Sequence, residues 1–455
     1  MKGLLAAVTF FLLCVFFVLI SFISIFYLGN YVAYGIDEKS LFFGRPFGIS
    51  SNNGTSKLPQ IAVQDSNVYV VWQDNTPGNY DIFFTHSSDN GSSFAPVRNL
   101  SNNNGTSELP QIAAHDNQVY VVWQDNKTGN YDIFFTYSSD NGSSFAPVRN
   151  LSNNNGTSQL PQIATQGSNV YVVWQDNTPG NYDIFFKRSL SNGTKFNERG
   201  RNLSNNNGTS QLPQIAVQGS NVYVVWQDNT PGNYDISFKR SSNNGNGFKS
   251  VNLENSNGTS VFPQIALDGN NVYVVWQDNT PGNDDIFLQR TLSNGTKFGD
   301  RNISNNNGTS EKPQISVPNG EIYVAWRDND QGIYDIFFRH GKKDSETGRS
   351  EFGPSYNLNS SGESSSPTLT TGSEYLYAVW TSSLDKKDKN VLEFYPFMLF
   401  EDNSGNSIPL TRLSSNQSMS NPDVAVSNEN AFLVWEVTGI GNSDILFKKI
   451  SAGSF

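Results

Sequence analysis

The sequence VYVVWQDNTPGNYDIFF, at residues 68–84, recurs almost letter for letter from residues 119, 170 and 222. A proline opens each copy and each more divergent copy, at spacings of 51, 51, 52, 50, 50, 54 and 55 residues: Pro59, Pro110, Pro161, Pro213, Pro263, Pro313, Pro367 and Pro422. The eight tryptophans fall one to each unit: Trp72, Trp123, Trp174, Trp226, Trp276, Trp326, Trp380 and Trp435. This period indicates eight copies of one supersecondary unit, in which every tryptophan has the same structural role.

Each unit carries the pattern of four short strands, here called A to D. In the second unit they are PQIAAH (110–115), QVYVVWQDN (118–126), YDIFFTYSS (131–139) and SFAPVRNLS (144–152). Strand B is apolar at consecutive positions, so both faces of each small sheet should be covered by neighbouring sheets. Four-stranded antiparallel sheets that pack face to face are the blades of a β-propeller.

Two turn sequences support antiparallel pairing within a blade. Thr76–Asn79 places proline second and glycine third in a predicted type II turn between strands B and C. Asn90-Gly91 predicts a type I′ hairpin between strands C and D.

The two ends of the repeat region predict how the ring closes. The last unit ends after strand C, whereas FGRPFGIS at 43–50 precedes the first unit and aligns with FAPVRNLS at 94–101. We therefore expect residues 43–50 to supply strand D of the eighth blade, which leaves no long exposed edge. The predicted fold is all-β, a single eight-bladed β-propeller over residues 41–455, closed by the N-terminal strand.

The first 35 residues predict a separate membrane segment. Leu4–Leu28 has no charged residue and, as a helix, exceeds the hydrocarbon thickness of a bilayer. Lys2 precedes this segment, so the propeller should lie outside the cell. A cleaved signal peptide is the alternative, because AYG at 33–35 resembles a small-residue cleavage site.

The charge and the cysteine and histidine content exclude several kinds of partner and metal site. With 30 Lys and Arg against 41 Asp and Glu, the net charge of −11 disfavours binding to nucleic acid. The only cysteine, Cys14, lies in the apolar leader, so no disulfide or cysteine metal site is available to the propeller. The histidines, His86, His115 and His340, form no cluster in sequence. We expect a monomer.

The sequence SSDNGSSF, at 87–94 and 138–145, resembles the Asp-box (BNR-type repeat) of sialidases and related propellers. Later units depart from it, with Ser191, Asn243 and Ser293 at the aspartate position. The pattern around VVWQDNTPGNYDIFF also resembles a repeat of exported bacterial and archaeal surface propellers. These resemblances imply the fold. In that family the Asp-box is a stabilising turn that lies away from the active site.

Sialidases of this family use a tyrosine nucleophile with a glutamate partner, an acidic residue and three converging arginines. The arginines repeated here occupy equivalent positions in different blades and cannot converge: Arg98, Arg149, Arg201 and Arg301. We assign no catalytic residue. The alternative is a sialidase-like glycoside hydrolase in blades six to eight, where Arg327, Thr381 and Glu436 replace the glutamine that follows the tryptophan in the other blades. An acid, base and cation set could then include further residues: Glu363, Glu393, Tyr395 and Arg412.

Aspartates flank the B–C turn in six blades: Asp74, Asp81, Asp125, Asp132, Asp176, Asp183, Asp228, Asp235, Asp278, Asp285, Asp328 and Asp335. The B–C turns and the D–A loops should emerge together, and we name them the turn face. These aspartates are candidates for a ligand-binding surface, and pairs of them could hold calcium. Alternatively, they cap their own turns. No other cofactor is expected.

Six asparagines in the D–A loops lie in Asn-x-Ser/Thr triplets and are candidate glycosylation sites: Asn53, Asn104, Asn155, Asn207, Asn257 and Asn307. The same residues could instead be turn chemistry repeated by duplication. The favoured interpretation is an exported, membrane-anchored, non-enzymatic module that binds an extracellular glycan or surface protein. A purely structural role in a surface coat is a third possibility.

Overall fold

The computed structural model describes residues 46–451, except 231, 254–256, 293–298, 300, 344–349, 359–361, 373–374, 384–389, 399–410, 414–416, 428–429 and 440. The predicted leader, Leu4–Leu28, lies outside the described residues. Within them, no helix is long and apolar enough to cross a membrane.

The described residues form 33 strands in eight sheets. Blade one contains β2 Ser56–Gln64, β3 Asn67–Asp74, β4 Asp81–Ser87 and β5 Arg98–Asn99; blade two β6 Ser107–His115, β7 Gln118–Asp125, β8 Asp132–Ser138 and β9 Arg149–Asn150; blade three β10 Ser158–Gln166, β11 Asn169–Asp176, β12 Asp183–Ser189 and β13 Arg201–Asn202; blade four β14 Ser210–Gln218, β15 Asn221–Asp228, β16 Asp235–Ser241 and β17 Lys249–Asn252. Blade five contains β18 Ser260–Asp268, β19 Asn271–Asp278, β20 Asp285–Leu292 and β21 Arg301–Asn302; blade six β22 Ser310–Ser316, β23 Glu321–Asp328, β24 Asp335–Lys343 and β25 Ser350–Asn357; blade seven β26 Glu363–Ser364, β27 Thr368–Thr371, β28 Tyr375–Ser383, β29 Asn390–Met398 and β30 Thr411–Leu413; blade eight β31 Ser418–Ser427, β32 Asn430–Thr438, β33 Ser443–Ser451 and β1 Phe47–Gly48.

Within each blade, consecutive strands pair antiparallel in the order A, B, C, D. Blade seven divides its strand A into β26 and β27, both of which pair with β28. The predicted all-β architecture of eight four-stranded blades is therefore confirmed.

Neighbouring blades pack through apolar clusters, and one such cluster joins the first and last blades. There, Val68 and Trp72 of strand B lie against Phe432 and Val434 of blade eight. Tyr69 and Val71, the alternate residues of the same strand, pack against blade two instead. The continuous apolar run of strand B thus reflects burial on both of its faces.

Strand D is shorter than predicted. In blade two only Arg149–Asn150 pairs as a strand, although the sequence predicted nine residues from 144 to 152. Pro147 has no N–H to donate to a ladder, and the preceding Ala146 already pairs outside the strand, through its N–H to the Tyr137 carbonyl oxygen at 2.8 Å.

The B–C turn starts one residue earlier than predicted. The Gly78 N–H donates to the Asn75 carbonyl oxygen at 2.8 Å, so the turn spans Asn75–Gly78 instead of Thr76–Asn79. Between strands C and D, Asn90 and Gly91 have φ of 59° and 73°, the left-handed values that a type I′ turn requires.

The outer strand of blade eight comes from the beginning of the described chain. Phe47 and Gly48 pair with Phe447 and Leu446. Ser50 Oγ donates to Asp444 Oδ1 at 2.9 Å. Residues 43–45 of the predicted strand lie outside the described residues.

Candidate functional site

The turn face is built around buried aspartates. Asp74, at the end of strand B, accepts hydrogen bonds from Asn52 Nδ2 and Ser56 Oγ, both at 2.6 Å. It also accepts the Thr76 N–H at 2.8 Å and the Trp72 indole N–H at 3.4 Å. Since Asn52 belongs to the D–A loop, these bonds hold that loop beside the B–C turn, on one face as predicted.

Hydrogen bonding outweighs burial at this position. Burial alone would raise the pKa of Asp74, but the hydrogen bonds from Ser56, Thr76 and Asn52 together hold that pKa below its ordinary value. The pKa of Asp228 in blade four is lowered by the same balance. Both carboxylates are therefore ionised acceptors at neutral pH.

In blades one, two, three, five and six, the second aspartate of the pair binds the outer strand. Asp81 accepts from Asn99 Nδ2 and Ser101 Oγ, both at 2.7 Å. All twelve candidate aspartates are at most 7% exposed. Their contacts match the turn-capping alternative, and a ligand on this face would first meet other residues. Binding through the aspartates stays a prediction.

No metal cluster accompanies these pairs in the part of the chain that the structure describes, where no three His, Cys, Asp or Glu side chains come together. Calcium binding also stays a prediction.

The candidate glycosylation residues are exposed to solvent, whereas most of the residues before them are hydrogen-bonded inside the loops. All six are exposed: Asn53, Asn104, Asn155, Asn207, Asn257 and Asn307. In five of the six loops the preceding residue is also an asparagine, and it is used internally, as when Asn103 Nδ2 donates to Asp125 Oδ2 at 2.7 Å. The exposed residues are therefore accessible from solvent, whereas their neighbours hold the loop.

Two of the hydrolase candidates, Arg327 and Glu436, have side-chain partners within their own blades. Arg327 Nε lies 3.1 Å from Glu311 Oε2, and its guanidinium carbon lies 3.9 Å from the ring centre of Tyr334. Glu436 Oε2 accepts from Asn421 Nδ2 at 2.9 Å. Arg412 pairs with the buried Glu393 through the backbone; the Arg412 side chain lies outside the described part. The remaining candidates differ in exposure, Glu363 being exposed and Tyr395 half-buried.

A link between blades escaped the sequence analysis. Gln73 Oε1 accepts the Leu109 N–H of blade two at 3.1 Å, and Leu109 has a left-handed φ of 52°. Equivalent bonds join blades two to six. Arg327 cannot accept a hydrogen bond, so the series of side-chain acceptors ends there. The repeated Gln and Leu-Pro residues do not by themselves predict a left-handed leucine, because that conformation is strained for leucine.

Asp423 replaces, in blade eight, the glutamine that follows the opening proline in blades one to six: Gln60, Gln111, Gln162, Gln214, Gln264 and Gln314. Its Oδ2 accepts the Ile61 N–H of blade one at 3.0 Å. Burial raises the pKa of Asp423 to about 6, although the bonds from Ile61 and Val424 oppose this shift.

Asp423→Gln is expected to stabilise the protein at pH 8 more than at pH 4. A raised folded pKa means that the aspartate contributes most stability below its ordinary value of 3.8 and loses it as pH rises through about 6. Thermal unfolding of both proteins from about pH 4 to about pH 8 measures the difference. A difference that is constant over this range would contradict the prediction.

No protein-family model matches the chain, and no curated protein matches it in sequence. Among solved structures, a polysaccharide lyase of family PL25, an ulvan lyase, is similar with a TM-score of 0.52 and 11% identity, over 90% of this chain and 96% of the lyase. The ulvan lyase bound to -[GlcA(1-4)Rha3S]- gives 0.51 and 10%, over 90% and 96%. A sialidase, NanB from Streptococcus pneumoniae, gives 0.42 and 10%, over 92% and 73%. By its own eight four-stranded blades, the chain has the fold of a β-propeller. Identities this low show the fold alone.

Proposed function

We propose that this protein is an exported, membrane-anchored β-propeller that binds an extracellular glycan or surface protein without catalysing a reaction. The observation that carries this proposal is that the candidate reactive groups are already engaged by neighbours of their own blades. Arg327 is paired with Glu311 in blade six, and Glu436 is hydrogen-bonded to Asn421 in blade eight. Catalysis by acid, base and cation needs such groups to be available to the reacting atoms.

The proposed cellular location depends on the leader, and the proposed closure of the ring depends on the first strand. Residues 1–35 are proposed as the membrane anchor, with cleavage of this segment as the alternative. Residues 43–50 are proposed as the strand that closes the ring, which is supported by the pairing of Phe47 with Phe447. The exposed loop asparagines are proposed glycosylation sites where the host has the machinery.

The turn face is the proposed binding surface. It repeats around the ring and is rich in amide, hydroxyl and carboxylate groups, which suit hydrogen bonding to hydroxyl-rich ligands. The twelve aspartates support it from beneath by fixing the loops. No cofactor is needed for this function.

The test combines binding and turnover. The full chain is expected to bind some members of a glycan array saturably, and to leave a panel of sialosides, glycosides and uronate-containing polysaccharides uncleaved. Saturable binding with no product supports the binding function. Substrate turnover would overturn its non-enzymatic part, and a stable fold with no saturable ligand on glycan or surface-protein arrays would favour a coat role.

A sialidase-like hydrolase in blades six to eight remains the second candidate, because Arg327, Glu311 and Tyr334 make contact there. Tyr334 Oη donates to Glu311 Oε1 at 3.2 Å. However, Tyr131 and Glu108 form the same pair in blade two at 2.9 Å. Burial and the nearby glutamate raise the pKa of Tyr334, although hydrogen bonding and charge from Arg327 oppose the shift. A raised pKa disfavours the phenolate that a tyrosine nucleophile needs. Activity lost on Arg327→Ala or Glu436→Gln would establish this candidate.

A further inference from the structure

One blade breaks the aromatic pattern of strand C. In five blades a phenylalanine stacks beside the blade's tryptophan, with ring centres 6.1 to 6.3 Å apart and planes within 23° to 27°: Trp72–Phe83, Trp123–Phe134, Trp174–Phe185, Trp276–Phe287 and Trp326–Phe337. In blade four, Trp226 faces Ser237 at the same register. The tryptophan is retained, but the ring that stacks on it elsewhere is missing.

A cavity of about 530 Å³ lies at this place, between blades three and four. Its lining includes Trp226 and Ser237, with Ser250 from the outer strand and Asn206 from the preceding loop. The volume lies within the range of small-molecule sites, roughly 300 to 1,000 Å³. The two other blades without a phenylalanine at this position fill it differently, with Glu393 and Leu446.

The outer strand also brings a hydroxyl to this place. Ser250 aligns with Val97 of blade one and with Gly200 of blade three, neither of which carries one. Ser250 is exposed and Ser237 is half-buried, and among the described residues neither hydroxyl has a hydrogen-bond partner within the protein. Two hydroxyls with free hydrogen-bonding capacity therefore line a space that holds a phenyl ring in other blades.

We propose that this cavity, the blade-four pocket, binds the six-membered ring of one pyranose residue. This inference rests on the proposed glycan-binding function and assigns a subsite to it. A pyranose ring is similar in size to the absent phenyl ring, and its C–H groups suit the edge that the buried Trp226 presents to the pocket. Its hydroxyl groups suit Ser237 and Ser250. An aromatic ligand would fit the space but leave both serines without new partners.

Ser237→Phe is the decisive variant, because it restores the residue that five other blades use. It should fold normally and melt at or above the temperature of the wild type. Ser250→Val, which copies blade one, narrows the pocket from the other side and serves if the first variant fails to fold.

The experiment titrates the full chain with methyl glucopyranoside, glucuronate and phenol, followed by ligand-observed NMR. We expect at least one sugar to bind and either variant to weaken it at least tenfold. Binding of phenol and neither sugar, or sugar binding unchanged in the variants, overturns the assignment. If both variants still bind the glycan array as the wild type does, the proposed binding function is kept and only this subsite is rejected. If the wild-type chain binds no glycan at all, the proposed glycan-binding function itself is rejected.

Discussion

Deleting residues 41–50 is expected to lower the free energy of unfolding by about 3 to 6 kcal/mol, whereas deleting residues 36–40 should leave it unchanged. The longer deletion removes Ile49 from the apolar cluster between blades one and eight. It also removes the Ser50 hydroxyl that accepts the Ile445 N–H at 2.8 Å and donates to Asp444. Both losses fall on the blade that joins the ends of the ring. Chemical denaturation of the two truncated chains measures the difference.

A point variant tests the hydrogen bonds of the closing strand without shortening the chain. Ser50→Ala should destabilise the protein about as much as Ser101→Ala, because Ser101 makes the equivalent bonds to Asp81 and Ile82 within blade one. Equal stability of the two deletions would contradict closure by this strand. A Ser50→Ala variant as stable as the wild type would show that its bonds add nothing to that closure.

Asp74→Ala should cost about 3 kcal/mol or more, because it leaves several buried donors without an acceptor. The affected groups are the Trp72 indole, the Asn52 amide and the Ser56 hydroxyl. Replacement by an apolar residue cannot compensate, since its partners remain polar and buried. Urea unfolding at neutral pH provides the measurement.

Asp89→Ala is the matched control. Asp89 also accepts hydrogen bonds within a turn, from Ser87 and Ser93, but it is exposed, so water can replace the lost acceptor. Its loss should therefore be clearly smaller. The Asp74 effect should also shrink in acid, because a lowered folded pKa gives stability that is present above the ordinary value of 3.8 and is lost as pH falls through the folded pKa. If both variants lose a similar free energy of unfolding at neutral pH, burial does not explain the cost of Asp74→Ala.

The arrangement of reactive groups required the structure. Sequence spacing identified the aspartates of the B–C turn as a repeated set but left ligand binding and turn capping open. The structure shows that Asp74 is surrounded by donors from the D–A loop and its own turn. Likewise, Arg327 and Glu436 could be selected as departures from the repeat, but their partners within separate blades depend on packing.

The sequence by itself determined the number of blades, their strand order and the position of every tryptophan. These features depend on period, apolar pattern and turn residues, which are local properties of the chain. Tertiary structure alone decided which polar side chains are buried, where a leucine such as Leu109 takes a left-handed conformation, and that Ser237 borders a cavity. Each of these depends on atoms brought from a neighbouring strand or blade, and local sequence carries no record of what lies across that interface.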